Sequence, residues 1–224
     1  MEDTTIAALA TAPVPAGVAV IRVSGPRTRL ALKALFKGKK DPLRHPRTLV
    51  FGDILDFKTS STLDKGLAVF MPGPWSFTGE DVAEFQFHGS PVLVQQVLRS
   101  LYAYGILPAA GGEFTKRAFL NGKMDLAQAE AIADVINAKG EEELRFAGEQ
   151  LKGRLSQAVS AIGEPLRDVL AELEAAMGLV RSRCEQAARD PRSVEPDGFH
   201  AAKQALDRLS MRVHETSIAE TLRG

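Results

Sequence analysis

A single cysteine, Cys184, is the only thiol in the 224 residues. No internal disulfide can form, and such sparse cysteine usage fits a reducing, cytoplasmic setting. No apolar run approaches the ~20 residues that a membrane-spanning helix needs. The start, Met1-Glu2-Asp3, is acidic and lacks the basic stretch that opens a secretory signal. Neither sign of charge predominates, because 28 basic side chains balance 28 acidic ones. A chain that binds nucleic acid unaided usually carries a basic excess, so no strong RNA-binding surface is expected of this segment alone.

Two further absences bear on chemistry. The phosphate-cradling pattern G-x-x-x-x-G-K-[ST] does not occur. Gly38-Lys39-Lys40 and Gly122-Lys123-Met124 both lack the hydroxyl residue that would reach magnesium. No nucleotide site is therefore expected. The four histidines, His45, His88, His200 and His214, are scattered and lack zinc spacing, so they read as surface or turn residues.

What is present falls into two textures. Residues 1–120 carry most of the proline, glycine and aromatic content, with short apolar runs between turn signals; residues 121–224 read as long helices. Val18 to Val23 is a β-branched run stopped by Ser24-Gly25-Pro26, the signature of a strand and turn. Thr28 to Phe36 reads as a helix, and Arg47 to Leu55 and Gly66 to Met71 as further strands. Asp81 to His88 alternates, placing Glu84, Gln86 and His88 on one face and Ala83, Phe85 and Phe87 on the other. Ser90-Pro91 opens a helix striped by Val94, Val97, Leu98 and Leu101 and ended by Gly105. A short helix ends at Asn121-Gly122, and Asp125 caps another from about Leu126. Glu141 to Leu179 reads as mostly one long helix with Pro165 as a kink, followed by a loop to Gly198 and a last helix over about 200–221. Strands outnumber helices in the first part and several connections are hairpin-short. The expected class is α+β, followed by an all-α bundle segment whose apolar stripe needs another helix, another copy or a further segment to cover it.

Three places are candidates for a ligand. Arg22 lies mid-strand in an apolar run, where a charge needs a partner or a ligand; an internal ion pair would serve equally. Glu84, with Gln86 and His88, forms either a polar pocket wall or a solvent face. Lys116, Arg117 and Lys123 cluster near two element boundaries, as an anion site or as a solvated basic helix.

Phe77-Thr78-Gly79-Glu80-Asp81-Val82, with Glu84 and His88-Gly89, resembles the F-T-G-E-D-x-x-E-x-x-x-H-G run of the MnmE (TrmE) family of tRNA-modification GTPases. The segment from Glu113 to Asp134, the opening Asp3 to Ala7, and Ile21 to Gly25 are similar to that family as well. Pro13-Val14-Pro15-Ala16-Gly17 replaces the family's G-R-G-G turn, and Met177 to Cys184 replaces its acidic D-F-P-E-E run. The stretch Thr221 to Gly224 resembles the family's last residues before its GTPase domain.

The resemblance implies a cytoplasmic protein acting on the wobble uridine of tRNA with the flavoprotein partner MnmG (GidA). It implies a mixed β-sheet domain resembling the tetrahydrofolate-binding domain of the glycine-cleavage T protein, which binds a reduced folate such as 5-formyltetrahydrofolate and forms homodimers. Arg22, Glu84 and Lys123 fall where the family's folate contacts fall. Potassium, magnesium and GTP belong to a GTPase domain whose motifs this chain lacks; tRNA is expected to engage the full complex, and no membrane is implied. A stand-alone folate-dependent one-carbon transfer protein of the glycine-cleavage T or YgfZ type, or a purely structural dimerisation module, is the alternative.

Overall fold

The computed structural model describes residues 4–189 and, beyond them, only residues 204, 207, 208 and 211. A seven-stranded sheet organises the first part. Its strands are β1 (Ile6–Leu9), β2 (Ala16–Ser24), β3 (Phe36–Gly38), β4 (Val50–Leu55), β5 (Thr62–Met71), β6 (Val82–Gly89) and β7 (Leu107–Pro108), in the order β3-β4-β5-β6-β2-β1-β7. All neighbours are antiparallel except β1 and β7. Helix α1 (Thr28–Leu35) follows β2, and α2 (Pro91–Ala103) follows β6. The class is α+β, as the patterning implies.

Strand alternation decides what lies on each side of the sheet. Ile21 and Val23 of β2, Ala83, Phe85 and Phe87 of β6, and Ala68 and Phe70 of β5 are buried in one core with Ala31, Leu32 and Leu35 of α1 and Val97 and Leu101 of α2. Between them, Arg22 and Glu84 project to the opposite face, which carries no layer of these helices. Gly25 makes the turn into α1: its φ is +128°, and a Cβ there would meet the Thr4 carbonyl at 2.7 Å, so only glycine fits.

The β4–β5 hairpin is closed by Asp56. Its Oδ1 accepts from the Lys58 and Thr59 N–H groups at 3.0 and 2.8 Å, and its Oδ2 accepts from the Ser100 hydroxyl of α2 at 2.8 Å. One carboxylate thus closes the hairpin and fastens it to a helix of the core.

Helices α3 (Glu113–Leu120), α4 (Leu126–Asn137) and α5 (Glu141–Leu151) complete the first compact unit, which ends at Leu151. A capping box starts α4, with Asp125 accepting from the Gln128 N–H at 2.8 Å and the Asp125 N–H donating to the Gln128 side chain at 3.0 Å. The single helix expected from Glu141 onward is instead two. Gly153, at φ +79°, breaks it after α5, and α6 (Arg154–Arg189) begins the second unit. A residue in the left-handed region ends a helix as a C-terminal cap does, and the apolar periodicity on both sides conceals that break. Pro165 lies within α6, which runs on through it to Arg189, so residues 187–189 are helical where a loop was expected; the rest of that expected loop and the expected last helix fall outside the described residues apart from those four. On α6 the stripe from Leu155 to Leu173 is exposed, from 41 % at Leu173 to 60 % at Val159.

The Asp56 contacts set a pH dependence. The Thr59 N–H first, then the Ser100 and Thr59 hydroxyls and the Lys58 N–H, hold its carboxyl down at about 2 against a smaller opposing effect of desolvation. An unfolded aspartate titrates near ~3.9, so the folded form is favoured above that value and the contribution is lost as pH falls through the folded pKa. The melting temperature of Asp56→Asn is therefore expected to depend less steeply on pH than that of the wild type between about pH 4 and about pH 2. Identical slopes in calorimetric scans would remove Asp56 from the account.

Candidate ligand site on the sheet face opposite the first two helices

Arg22 and Glu84 are direct cross-strand partners in the β2–β6 register. The Arg22 Nε and Nη2 groups donate to the same oxygen, Oε1 of Glu84, at 2.9 and 2.8 Å. Their side chains are 28 % and 16 % exposed, so the pair is neither sealed nor fully solvated. Two aromatic rings flank the guanidinium, Phe77 at 5.3 Å and Phe114 at 5.7 Å. Both lie within the ~6 Å range of cation–π attraction. Among the described residues no donor meets Oε2 of Glu84 and no acceptor meets Nη1 of Arg22. An acceptor oxygen and a donor nitrogen are left beside two rings, a set suited to a flat heterocycle bearing neighbouring donors and acceptors.

The ring of Phe77 comes from the loop of residues 72–81, and a chain of polar contacts holds that loop. Ser24, two residues along β2 from Arg22, lies 2.7 Å from both the Thr78 hydroxyl and Oε2 of Glu80. A carboxylate only accepts, so Ser24 donates to Glu80 and Thr78 donates to Ser24. Thr78 in turn accepts from the Glu80 N–H at 3.2 Å. Asp81 accepts from the Gly73 N–H at 3.0 Å and from Nε of Arg29 at 2.6 Å.

Arg117 of α3 anchors the same network from the other side. Its Nη1 donates to the Thr4 carbonyl at 2.8 Å and faces Glu80 at 3.2 Å, and its Nη2 donates to Glu113 at 2.9 Å. The side chain is only 9 % exposed. Of the three cations singled out near Gly122, Arg117 is thus no solvated surface charge but the buried centre of an ion-pair cluster. The Glu113–Arg117 spacing of four residues was the sequence signal for this contact. Desolvation pushes the Glu113 carboxyl up, but the Ala110 N–H and the Arg117 guanidinium outweigh it, and the group is held below its ordinary value. Lys116 is exposed.

Lys123 sits apart from the Arg22–Glu84 pair. It donates to the Pro74 carbonyl at 3.0 Å, and its ammonium lies 5.5 Å from the Trp75 ring centroid. Asn121 beside it donates to the Thr78 carbonyl at 2.7 Å. The structure therefore joins Arg22 to Glu84 directly and links Lys123 to them only through the 72–81 loop. His88 lies at the strand end, its ring 2.9 Å from Asp64 and its side chain 76 % exposed.

The profile described as "GTP-binding protein TrmE N-terminus" matches residues 5–123, and that described as "MnmE helical domain" matches residues 126–218. The chain belongs to the MnmE (TrmE) family. Three curated relatives carry the name "tRNA modification GTPase MnmE". One from Natranaerobius thermophilus is 38 % identical over 215 residues, 96 % of this chain and 45 % of its own. One from Alkalilimnicola ehrlichii is 47 % identical over 177 residues, 79 % of this chain and 39 % of its own. One from Phenylobacterium zucineum is 40 % identical over 220 residues, 98 % of this chain and 46 % of its own. The chain thus spans less than half the length of these MnmE relatives. The Arg22–Glu84 pair, the 72–81 loop and Arg117 all fall within the match to the TrmE N-terminus.

Removing the buried guanidinium leaves Glu80 and Glu113 without their cation, and breaking a buried pair from one side costs about 3–5 kcal/mol. Arg117→Met is expected to lose roughly 3 kcal/mol of unfolding free energy in urea, and Arg117→Lys to recover only part of it. A loss below about 1 kcal/mol, the scale of an exposed pair, would contradict this role.

Proposed function

We propose that this chain is the reduced-folate-binding and dimerising part of a tRNA-modification protein, and that Arg22, Glu84 and Lys123 face the folate. The observation that carries the reading is the half-exposed Arg22–Glu84 pair, with its unmatched acceptor and donor beside Phe77 and Phe114. Oε2 of Glu84 accepts from the amino and ring N–H groups of a pterin, and Arg22 and Lys123 face carbonyl or carboxylate oxygens. The folate, when bound, supplies a one-carbon unit. The protein's own part is to orient the ring by hydrogen bonds and to hold it between aromatic side chains.

The wider assignment follows the family. The complete protein acts in the cytoplasm on the wobble uridine of tRNA together with the flavoprotein MnmG. Self-association of this part likewise follows the family. GTP chemistry lies outside the motifs of this chain. Among the described residues no helix is long and apolar enough to cross a membrane.

Calorimetric titration with 5-formyltetrahydrofolate tests the site. The wild type is expected to bind. Glu84→Ala and Arg22→Ala are each expected to weaken binding about tenfold or more, because a hydrogen bond to a charged group is worth ~1.5–3 kcal/mol. Absence of wild-type binding would end the folate reading, and binding indifferent to both substitutions would place the site elsewhere. Sedimentation of the same sample, expected to give a dimer, checks self-association.

A further inference from the structure

The neutral total charge hides a local excess. Residues 27–47 hold eight basic side chains and one acidic one, Asp41, so the rest of the chain is correspondingly acidic. The arginines of this stretch are largely committed within the fold. Arg27 donates to the Tyr104 and Gly105 carbonyls, Arg29 pairs with Asp81, and Arg47 donates to the Trp75 carbonyl. Its four lysines are different. Lys33, Lys37, Lys39 and Lys40 are all exposed, and none forms an ion pair among the described residues.

The fold gathers these lysines. Lys33 lies in α1, Lys37 in β3, and Lys39 and Lys40 just beyond it; together they line one concavity of about 330 Å³, with Leu32 and Phe36 also in its wall. Asp41 shares the wall but is engaged locally, accepting from the Leu43 N–H at 2.9 Å and lying 4.0 Å from Arg44. Asp53 is opposite Lys37 in the β3–β4 register but does not line the concavity. A lysine on an exposed edge strand also discourages stray strand pairing, and β3 is such an edge. That purpose accounts for Lys37 alone and leaves the other three unexplained.

We propose that this lysine-lined concavity binds the phosphate backbone of RNA. The free cations are all ammonium groups, point charges that suit phosphate oxygens without demanding one geometry. Carboxylates of an acidic protein would be held better by arginine forks, and here three of the four arginines, Arg27, Arg29 and Arg47, are already engaged within the fold. No base-reading set accompanies the lysines, so the contact positions RNA and does not read its sequence. The choice of RNA among polyanions rests on the tRNA-modification reading above; the charge pattern stands without it.

The test is fluorescence anisotropy of labelled bulk tRNA titrated with this chain over a range of salt concentrations. Four neutralised phosphates give a slope of log affinity against log salt of about −3. Lys33→Glu/Lys37→Glu and Lys39→Glu/Lys40→Glu are each expected to weaken binding about tenfold or more and to flatten the slope by about 2, while Lys139→Glu/Arg145→Glu, an equal charge change at exposed positions in the α4–α5 connection and in α5, stays within about twofold. Circular dichroism melts confirm that the variants fold, and the wild-type slope gives an answer that needs no variant. No tRNA binding, a wild-type slope near zero, an equal loss in the Lys139/Arg145 variant, or competition by polyglutamate or inorganic phosphate as effective as that by unlabelled tRNA overturns the proposal. Folate titration of the same sample separates the two readings. Folate binding without tRNA binding removes only the RNA surface, and tRNA binding without folate binding removes only the folate site.

Discussion

A buried guanidinium cannot be left alone, and the geometry around the candidate site follows from that constraint. Arg117 needs anionic and carbonyl partners wherever the fold places it, and it finds them on three separate pieces of chain: Thr4 before β1, Glu80 in the 72–81 loop and Glu113 at the start of α3. Glu80 then reaches Ser24 at the end of β2, and Thr78 joins the same hydroxyl. The loop that carries Phe77 is in this way tied to the strand that carries Arg22. Burial of one charge thereby positions one of the two rings beside another, half-exposed charge. Buried ion pairs of this sort contribute modest net stability but are costly to break from one side, which suits a clamp better than a core.

Charge distribution also separates the parts of this MnmE-family chain by task. Acidic and basic side chains are matched in pairs around the sheet face, whereas the excess lysines gather at the end of α1 and the edge strand β3. The acidic excess of the rest of the chain cancels these lysines in the total charge, so composition alone argued against a strong RNA-binding surface. Only the fold shows that most arginines of the stretch, Arg27, Arg29 and Arg47, are used for internal contacts while its lysines are left exposed.

Much of the architecture was legible in the sequence where periodicity is strong. The alternation over Asp81 to His88 gave β6 and both its faces, Ser90-Pro91 gave the start of α2, and Asp125 gave the cap of α4. The elements it missed are β1, β3 and β7. They are short, and β1 with its two alanines lacks a β-branched pattern, so each exists because the sheet offers it a partner. The break at Gly153 was hidden by apolar periodicity that continues on both sides. At the site, Arg22 stood out as a charge in an apolar run and Glu84 as one of a polar row with Gln86 and His88, but their being each other's partners depends on register, which one strand cannot reveal. Arg117 was seen only as one of three cations, because burial of its guanidinium is set by Thr4 and Glu80, far away in sequence.

The central claim is that the Arg22–Glu84 pair serves a ligand and is more than a cross-strand ion pair. Exchanging the two charges, Arg22→Glu with Glu84→Arg, addresses it directly, because the swap keeps a cross-strand salt bridge while reversing which strand presents the carboxylate. The account predicts that the exchanged protein melts within a few degrees of the wild type, since a cross-strand pair is worth only ~0.2–1 kcal/mol, yet shows no heat of binding with 5-formyltetrahydrofolate. Undiminished folate binding by the exchanged protein would contradict it.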